Sequence, residues 1–412
     1  MSQPMPSASA LERNITILKV MNFFWMFIIL MPVIVPYFGQ LGLTNGEVFK
    51  VQAIFGLSVV LFEVPTGYVS DLVGRKGCLV LSSILHGFAF TLLIFVHGFW
   101  GVVLFEVVAA LGVCLFSGTD VALLYDSLEA LGRQSGRRGD LGLRVFWMQV
   151  GETAASLLGG WIAIVGLREV AIGNAIVGWL PLIASLLLVE IPQKRMDHGG
   201  HLQNLAEIRR VLFSHSQLVR RVLFALIVYG LATLLAVWAF QGFWAHLGID
   251  VLWFGYLWAG YNLTVAVVGR SAHLVEARLG VPRTILLIAA LPIIGYASMG
   301  FLAAQIGSGA SMGGAVAGVL LGLTFQLGRG LTQVVLKDEL NQRIAPNMRA
   351  TANSVSSLGV RLCYALYGPV LGHMIDVNGY GAAFASTSGL FLIAALVFAV
   401  PLAVSLKQID ES

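Results

Sequence analysis

Charge is scarce in this chain, and its scarcity excludes more than any other feature. Acidic and basic residues make up 11% of the 412 residues, whereas 58% are hydrophobic and the mean hydropathy is +0.85. A soluble globular domain could not keep its surface polar with so few charges. The chain is therefore predicted to be a membrane protein.

Cysteine is equally rare. Cys78, Cys114 and Cys363 lie in or beside separate apolar runs and lack the paired spacing of a zinc site or a disulfide framework. The net charge of +4 is small and scattered, which argues against nucleic-acid binding. The phosphate-binding pattern Gly-x-x-x-x-Gly-Lys-Ser/Thr is missing as well. We therefore expect no metal, no cofactor and no nucleic-acid partner.

Long apolar runs dominate what is present. A helix needs roughly 20 apolar residues to cross a bilayer, and about twelve such runs can be placed. The six in the first half lie at roughly 15–38, 47–70, 77–97, 100–125, 142–165 and 169–191. The six in the second half lie at roughly 217–243, 251–270, 284–305, 311–336, 351–374 and 381–404. Because the first residues lack the order of a secretory signal, the first run is expected to remain as a span.

The longest polar stretch separates the two groups of runs. The sequence thus predicts an all-α membrane protein of twelve transmembrane helices in two six-helix bundles, with bundles at 1–191 and 217–412 and a cytoplasmic linker at 192–216. Lys and Arg concentrate in alternate loops, and loops rich in them stay in the cytoplasm. Both termini are therefore predicted to be cytoplasmic, in a multi-pass protein of the bacterial inner membrane.

One short polar loop between the second and third runs carries a motif. It reads Gly67-Tyr68-Val69-Ser70-Asp71-Leu72-Val73-Gly74-Arg75-Lys76 and follows Glu63-Val64-Pro65-Thr66. This spacing resembles the signature loop of the major facilitator superfamily of membrane transporters. The resemblance implies the two-bundle fold, alternating access, and a cytoplasmic latch formed by Gly67, Asp71, Gly74, Arg75 and Lys76. A well-capped turn that obeys the charge rule is the alternative interpretation, and the exact spacing in this loop favours the latch.

Ionisable residues inside the spans are the candidates for proton coupling, because a charge in hydrocarbon persists mainly where it is paired or hydrated. Glu63, Asp120 and Glu152 each lie roughly 9–12 Å inside the cytoplasmic ends of their helices, at 1.5 Å per residue. Arg144 is two turns from Glu152 on one helix face, which places a positive partner below that carboxylate. Either these groups exchange protons as a cavity opens, or they form a permanent ion pair.

A second set of residues is expected to line a substrate cavity. Its members are polar or aromatic side chains away from the helix ends: Asn22, Trp25, Gln149, Trp238, Asn262, Gln326, Arg329, Arg361 and Tyr364. Arg361 lies near the middle of its span, where transporters bind substrate. It either clamps an anionic group of the substrate or neutralises an acid of the first bundle.

These patterns predict a secondary active transporter that moves a small organic solute with protons and acts as a monomer. Export of a drug or metabolite is favoured, and uptake of an organic anion or metal chelate is the alternative. Superfamily drug exporters usually carry a Gly-Pro pair on the fifth helix, whereas here Gly368-Pro369 lies on the eleventh, which leaves uptake open. A membrane enzyme is less favoured because no pair of histidines has metal-binding spacing on a span. A non-transporting sensor is the third possibility.

Overall fold

The protein is described by a computed structural model that covers residues 6–133, 137–192, 216–306, 310–345 and 348–410. Every regular element in these ranges is a helix. The first two ranges hold α1 (Ala8–Trp25), α2 (Ile34–Gln40), α3 (Asn45–Val73), α4 (Arg75–Leu93), α5 (Gly98–Phe116), α6 (Thr119–Ala130), α7 (Arg137–Ile162), α8 (Leu167–Val177) and α9 (Leu180–Leu186). The later ranges hold α10 (Gln217–His246), α11 (Leu252–Leu279), α12 (Val281–Ile306), α13 (Met312–Leu331), α14 (Lys337–Gln342), α15 (Arg349–Ala394) and α16 (Val400–Asp410).

Several of the predicted spans are interrupted helices. Between α1 and α2 the chain leaves α-helical geometry before a short 3-10 turn at Met31–Val33. The side chain of Asn174 accepts the amide hydrogen of Leu30 there at 3.2 Å, so the break is hydrogen-bonded from a distant helix. Between α5 and α6 the chain turns at Gly118, whose φ of +83° is costly for residues with a Cβ.

In the second half of the chain, α-helical geometry is interrupted by π-helical segments and by a kink. A π-helical segment, Thr332–Leu336, joins α13 to α14, and a second one, Ala395–Ala399, joins α15 to α16. α15 is itself two helices that meet at Gly379, where φ is +76°. Pro292 lies inside α12 and removes a backbone donor from that helix.

Eight helical stretches of the described residues are long and apolar enough to cross a membrane. They are Asn45–Glu63, Arg75–Leu93, Gly98–Ala130, Leu167–Leu186, Gln217–His246, Val281–Ile306, Met312–Gln342 and Thr351–Gln408. The last has 58 residues and contains the Gly379 kink, so its length suffices for two of the predicted spans. The predicted runs at 15–38, 142–165 and 251–270 are not among the eight. The break after α1, the charges of α7, and the glycine, amide and aromatic residues of α11 account for this.

The described residues fall into two compact units. The first comprises Met1–Leu43, Ile54–Met196 and Val251–Ala259, and the second comprises Thr44–Ala53, Asp197–Asp250 and Gly260–Ser412, each within the described ranges. The beginning of α3 thus groups with the second unit and the beginning of α11 with the first. The predicted linker 192–216 lies outside the described residues except for its two end residues.

Close helix contacts hold the first unit together. In lipid there is little hydrophobic drive between helices, so association depends on van der Waals packing through small residues. A Cβ at Gly151 or Gly159 of α7 would collide with the backbone of Phe23 or Ile29. Gly255 likewise lies against the backbone of Ser156. α7 therefore packs tightly on the first span and on the start of α11, which positions the acidic residues of α7.

Candidate functional site

A buried ion pair is the centre of the candidate site in the first unit. Nε of Arg144 lies 2.5 Å from Oδ2 of Asp120, whose side chain is 0% exposed. Asp120 stands in the first turn of α6, directly after the Gly118 break, where the helix N-terminus favours negative charge. Its second oxygen, Oδ1, is buried and has no hydrogen-bond partner among the described residues. One oxygen thus pairs with Arg144, while the other has no partner in the described part of the chain.

The other two acidic candidates have different surroundings. Glu152 accepts a hydrogen bond from Nε1 of Trp258 at 3.2 Å, inside the same unit. The predicted partner of Glu152, Arg144, is held instead by Asp120 across the interface of two helices. Glu63 has an exposed side chain on α3. The structure therefore places Asp120 and Arg144 in direct contact.

The signature loop is a helix junction stabilised from outside the motif. Gly74 separates α3 from α4 with a φ of +85°. The backbone amides of Arg75 and Lys76 donate to the carboxylate of Glu190 at 3.1 and 2.9 Å, which caps the N-terminus of α4 with a negative charge. A side chain at Gly74 would displace that carboxylate, because its Cβ would lie 2.7 Å from Glu190 Oε2.

Arg75 of the motif also forms an ion pair with a residue outside it. Nε of Arg75 lies 2.7 Å from Oδ2 of Asp126, near the end of α6. The backbones of Gly67 and Asp71 belong to α3, but their side chains lie outside the described part of the structure, so the predicted role of Asp71 remains a prediction. Glu190 was not singled out from the sequence. Its only signal is its place as the last acid before the polar stretch at 192–216.

Two of the three cavity candidates of the first unit, Asn22 and Trp25, lie near the break after α1. Trp25, at the end of α1, stacks at 3.9 Å on Phe116, at the end of α5, and at 4.4 Å on His86. This stack joins the two interrupted spans and leaves Trp25 only 5% exposed. Asn22 is buried and donates to the carbonyl of Leu18, while its Oδ1 has no partner among the described residues. Gln149 is half-buried on α7.

The cavity candidates of the second unit lie on four helices. Gln326 and Arg329 share α13, and Arg361 and Tyr364 share α15. Gln326 is 2% exposed, whereas Arg329 and Arg361 are half-buried. Tyr364 stacks on Phe49 at 6.1 Å. The remaining two, the half-buried Trp238 and the buried Asn262, lie on α10 and α11.

A polar contact at the start of α3 was also missed from the sequence. The Gly46 amide donates to Oδ2 of Asp376 at 2.8 Å, and the Tyr380 hydroxyl donates to Oδ1 of Asn45 at 3.2 Å. A negative charge thus caps the N-terminus of α3 inside the second unit. Asp376 follows an apolar run as a single acid, and nothing in the local pattern identifies a partner more than 300 residues away.

Comparison with known proteins identifies the fold. No curated protein sequence matches the chain. A crystal structure of the nucleoside transporter NupG superposes with a TM-score of 0.79 at 14% identity, covering 93% of this chain and 98% of that one. A D-xylose-proton symporter superposes with a TM-score of 0.67 at 14% identity, covering 93% and 97%. A mutant form of the peptide transporter POT in complex with alafosfalin gives 0.74 at 13% identity, covering 97% and 94%.

These structural similarities establish the fold. The model of the Major Facilitator Superfamily matches residues 16–345, which is most of the chain and includes the signature loop and the Asp120–Arg144 pair. The resemblance carried by Gly67 to Lys76 is thereby confirmed. With its helical fold, its apolar spans and this match, the chain is a multi-pass membrane protein that belongs to the Major Facilitator Superfamily.

Proposed function

We propose that the protein is a proton-coupled secondary transporter that moves a small polar organic solute by alternating access. Membership of the superfamily supports a transporter rather than an enzyme. The proposal includes twelve spans in two bundles and cytoplasmic termini, as the run pattern and the distribution of Lys and Arg predict. It also includes an inner-membrane location and a monomeric state.

The observation that carries proton coupling is the half-satisfied carboxylate of Asp120. A charge inside a span is retained mainly for function or for pairing. Asp120 is paired with Arg144 through one oxygen, and its other oxygen has no partner among the described residues. Protonation at the free Oδ1 would remove the charge that holds Arg144. Arg144 would then need another partner, since an uncompensated buried charge is strongly unfavourable. Binding and release of one proton can thus move a cation within the first unit.

Two directions of transport are consistent with this chemistry. The residue pattern favours export, in which a proton enters as the solute leaves. Similarity to a D-xylose-proton symporter favours the second candidate, uptake of solute together with a proton. The two candidates differ in whether solute and proton cross in the same direction.

Flux in proteoliposomes tests the proposal. We would trap a pH-sensitive dye inside, impose a pH gradient, and add a nucleoside, D-xylose or a dipeptide as probes, the solute classes of the structurally similar transporters. A transported probe will accumulate against its gradient, and a protonophore will abolish that accumulation. Symport will acidify the compartment that gains solute, whereas antiport will make it alkaline. Accumulation that persists with the protonophore would contradict proton coupling.

A further inference from the structure

A small cavity lies inside the second unit, among α10, α12, α13 and the junction that follows α13. The centre of a water molecule can occupy a volume of about 10 Å³ in this cavity. The residues that face it include Tyr229, Thr233, Pro292, Thr324 and Thr332. This volume is at the lower limit for one water molecule and excludes an organic solute.

Two hydroxyl groups at the cavity lack partners. The hydroxyl of Tyr229 and Oγ1 of Thr332 are both buried and have no hydrogen-bond partner among the described residues. Tyr229 is 2% exposed and Thr332 is 7% exposed, so bulk water does not reach them. A buried hydroxyl without a partner destabilises the folded protein, so two beside one cavity need an explanation.

Two further residues that line the cavity have hydroxyls that already donate hydrogen bonds. Thr233 donates to the carbonyl of Tyr229 at 3.2 Å, and Thr324 donates to the carbonyl of Leu321 at 2.7 Å. Their oxygens can still accept. The residues that line the cavity therefore carry two hydroxyl donors without a described partner and two hydroxyl oxygens that can accept, the set that a single water molecule satisfies.

The cavity also coincides with two departures from α-helical geometry. Pro292 lacks an amide hydrogen, so the carbonyl of Ile288, another residue that lines the cavity, loses its normal helical partner. Thr332 is the first residue of the π-helical segment Thr332–Leu336. Irregular helix geometry inside a membrane persists where the released backbone groups find other partners, ordered water among them.

We propose that this cavity is a binding site for one structural water molecule, which bridges the Tyr229 hydroxyl and Thr332 Oγ1 and stabilises the start of the π-helical segment. A sodium ion of similar size is disfavoured because none of the described residues lining the cavity is charged. A cation would also leave both hydroxyl protons without an acceptor. The water fixes Thr332, which lies one turn after Arg329 of the candidate substrate cavity. It thereby helps to orient Arg329.

Thermal unfolding of Tyr229→Phe, Thr332→Val and the double variant tests this assignment. If water bridges the hydroxyls, each single variant will melt at a lower temperature, and the double variant will be no worse than the more affected single one, since both lose the same water. If the cavity is dry, removal of an unsatisfied hydroxyl will raise the melting temperature and overturn the proposal. Thr264→Val is the matched control, because its hydroxyl donates only to the carbonyl of Gly260.

Two further measurements keep the proposal open to contradiction if a variant misfolds. Wild-type protein in sodium or choline salt of equal ionic strength should melt at the same temperature. Stabilisation by sodium that is lost in Tyr229→Phe would identify a cation site instead. A high-resolution density map should contain one peak within hydrogen-bond distance of both hydroxyls, and an empty cavity in such a map would refute the assignment.

Discussion

Three acidic residues of this protein lie at the N-termini of helices. Asp120 stands in the first turn of α6, Glu190 caps α4 and Asp376 caps α3. Each carboxylate lies where unpaired backbone amides and the helix dipole favour negative charge. In a chain with so few charges, these placements let carboxylates persist beside hydrocarbon.

Glu190 illustrates the energetic effect of one such cap. Glu190→Gln should lower the free energy of unfolding by about 1–3 kcal/mol, because two amides lose a charged acceptor at a partly buried position. Glu12→Gln is the control, since it weakens the exposed Glu12–Arg133 pair, and such surface pairs contribute about 0–1 kcal/mol. Chemical denaturation in detergent measures both variants. Equal effects would show that the cap contributes nothing beyond surface charge.

Close packing between helices is clearest at α7. Gly159 lies so close to the backbone of Ile29 that no side chain fits between the two helices. This contact holds α7 against the break between α1 and α2, on the helix that also carries Arg144 and Glu152. The position of the ion pair therefore depends on a glycine several turns away.

Alanine at Gly159 should destabilise the protein by about 1–3 kcal/mol, because the added methyl group forces the helices apart. Alanine at Gly142 of the same helix is the matched control, since no atom lies within 4 Å of the added Cβ. That variant should be neutral or more stable by up to about 1 kcal/mol, because alanine favours helix more than glycine does. Melting temperatures of both variants measure the difference. A stable Gly159→Ala protein would disprove the close contact.

At the scale of the whole molecule, composition and loop pattern predicted the fold class well. Apolar runs indicate the membrane helices because a helix needs a minimum length of apolar residues to cross a bilayer. The spacing of residues around Gly74 indicates the superfamily. Interruptions such as those at Gly118 and Thr332 were not predicted, because each lies inside a helical stretch that is apolar enough overall to span a membrane.

The partners of the site residues were harder to predict for a different reason. Arg144 was expected below Glu152 because the two share a helix face, yet its ion pair is with Asp120, on a neighbouring helix. Tertiary packing, which local spacing does not encode, decides between such partners. The same holds for Glu190 and Asp376, whose amide partners lie more than 100 residues away. The coupling role of Asp120 stays a prediction.

Gradient-driven flux of the Asp120→Asn variant is the most direct test of that role. Asp140→Asn is the matched control, because Asp140 is also a buried acid, paired with Lys19 at 3.5 Å. The double variant Asp120→Asn with Arg144→Gln removes both charges and guards against misfolding caused by an unpaired arginine.

We predict that Asp120→Asn, alone and in the double variant, lowers pH-driven accumulation of the transported probe to the level of empty vesicles. Exchange of labelled for unlabelled probe across the same vesicles should continue, because it needs no net proton movement. Asp140→Asn should retain both activities. Full pH-driven accumulation by folded Asp120→Asn protein would contradict the central claim that this carboxylate couples protons to transport.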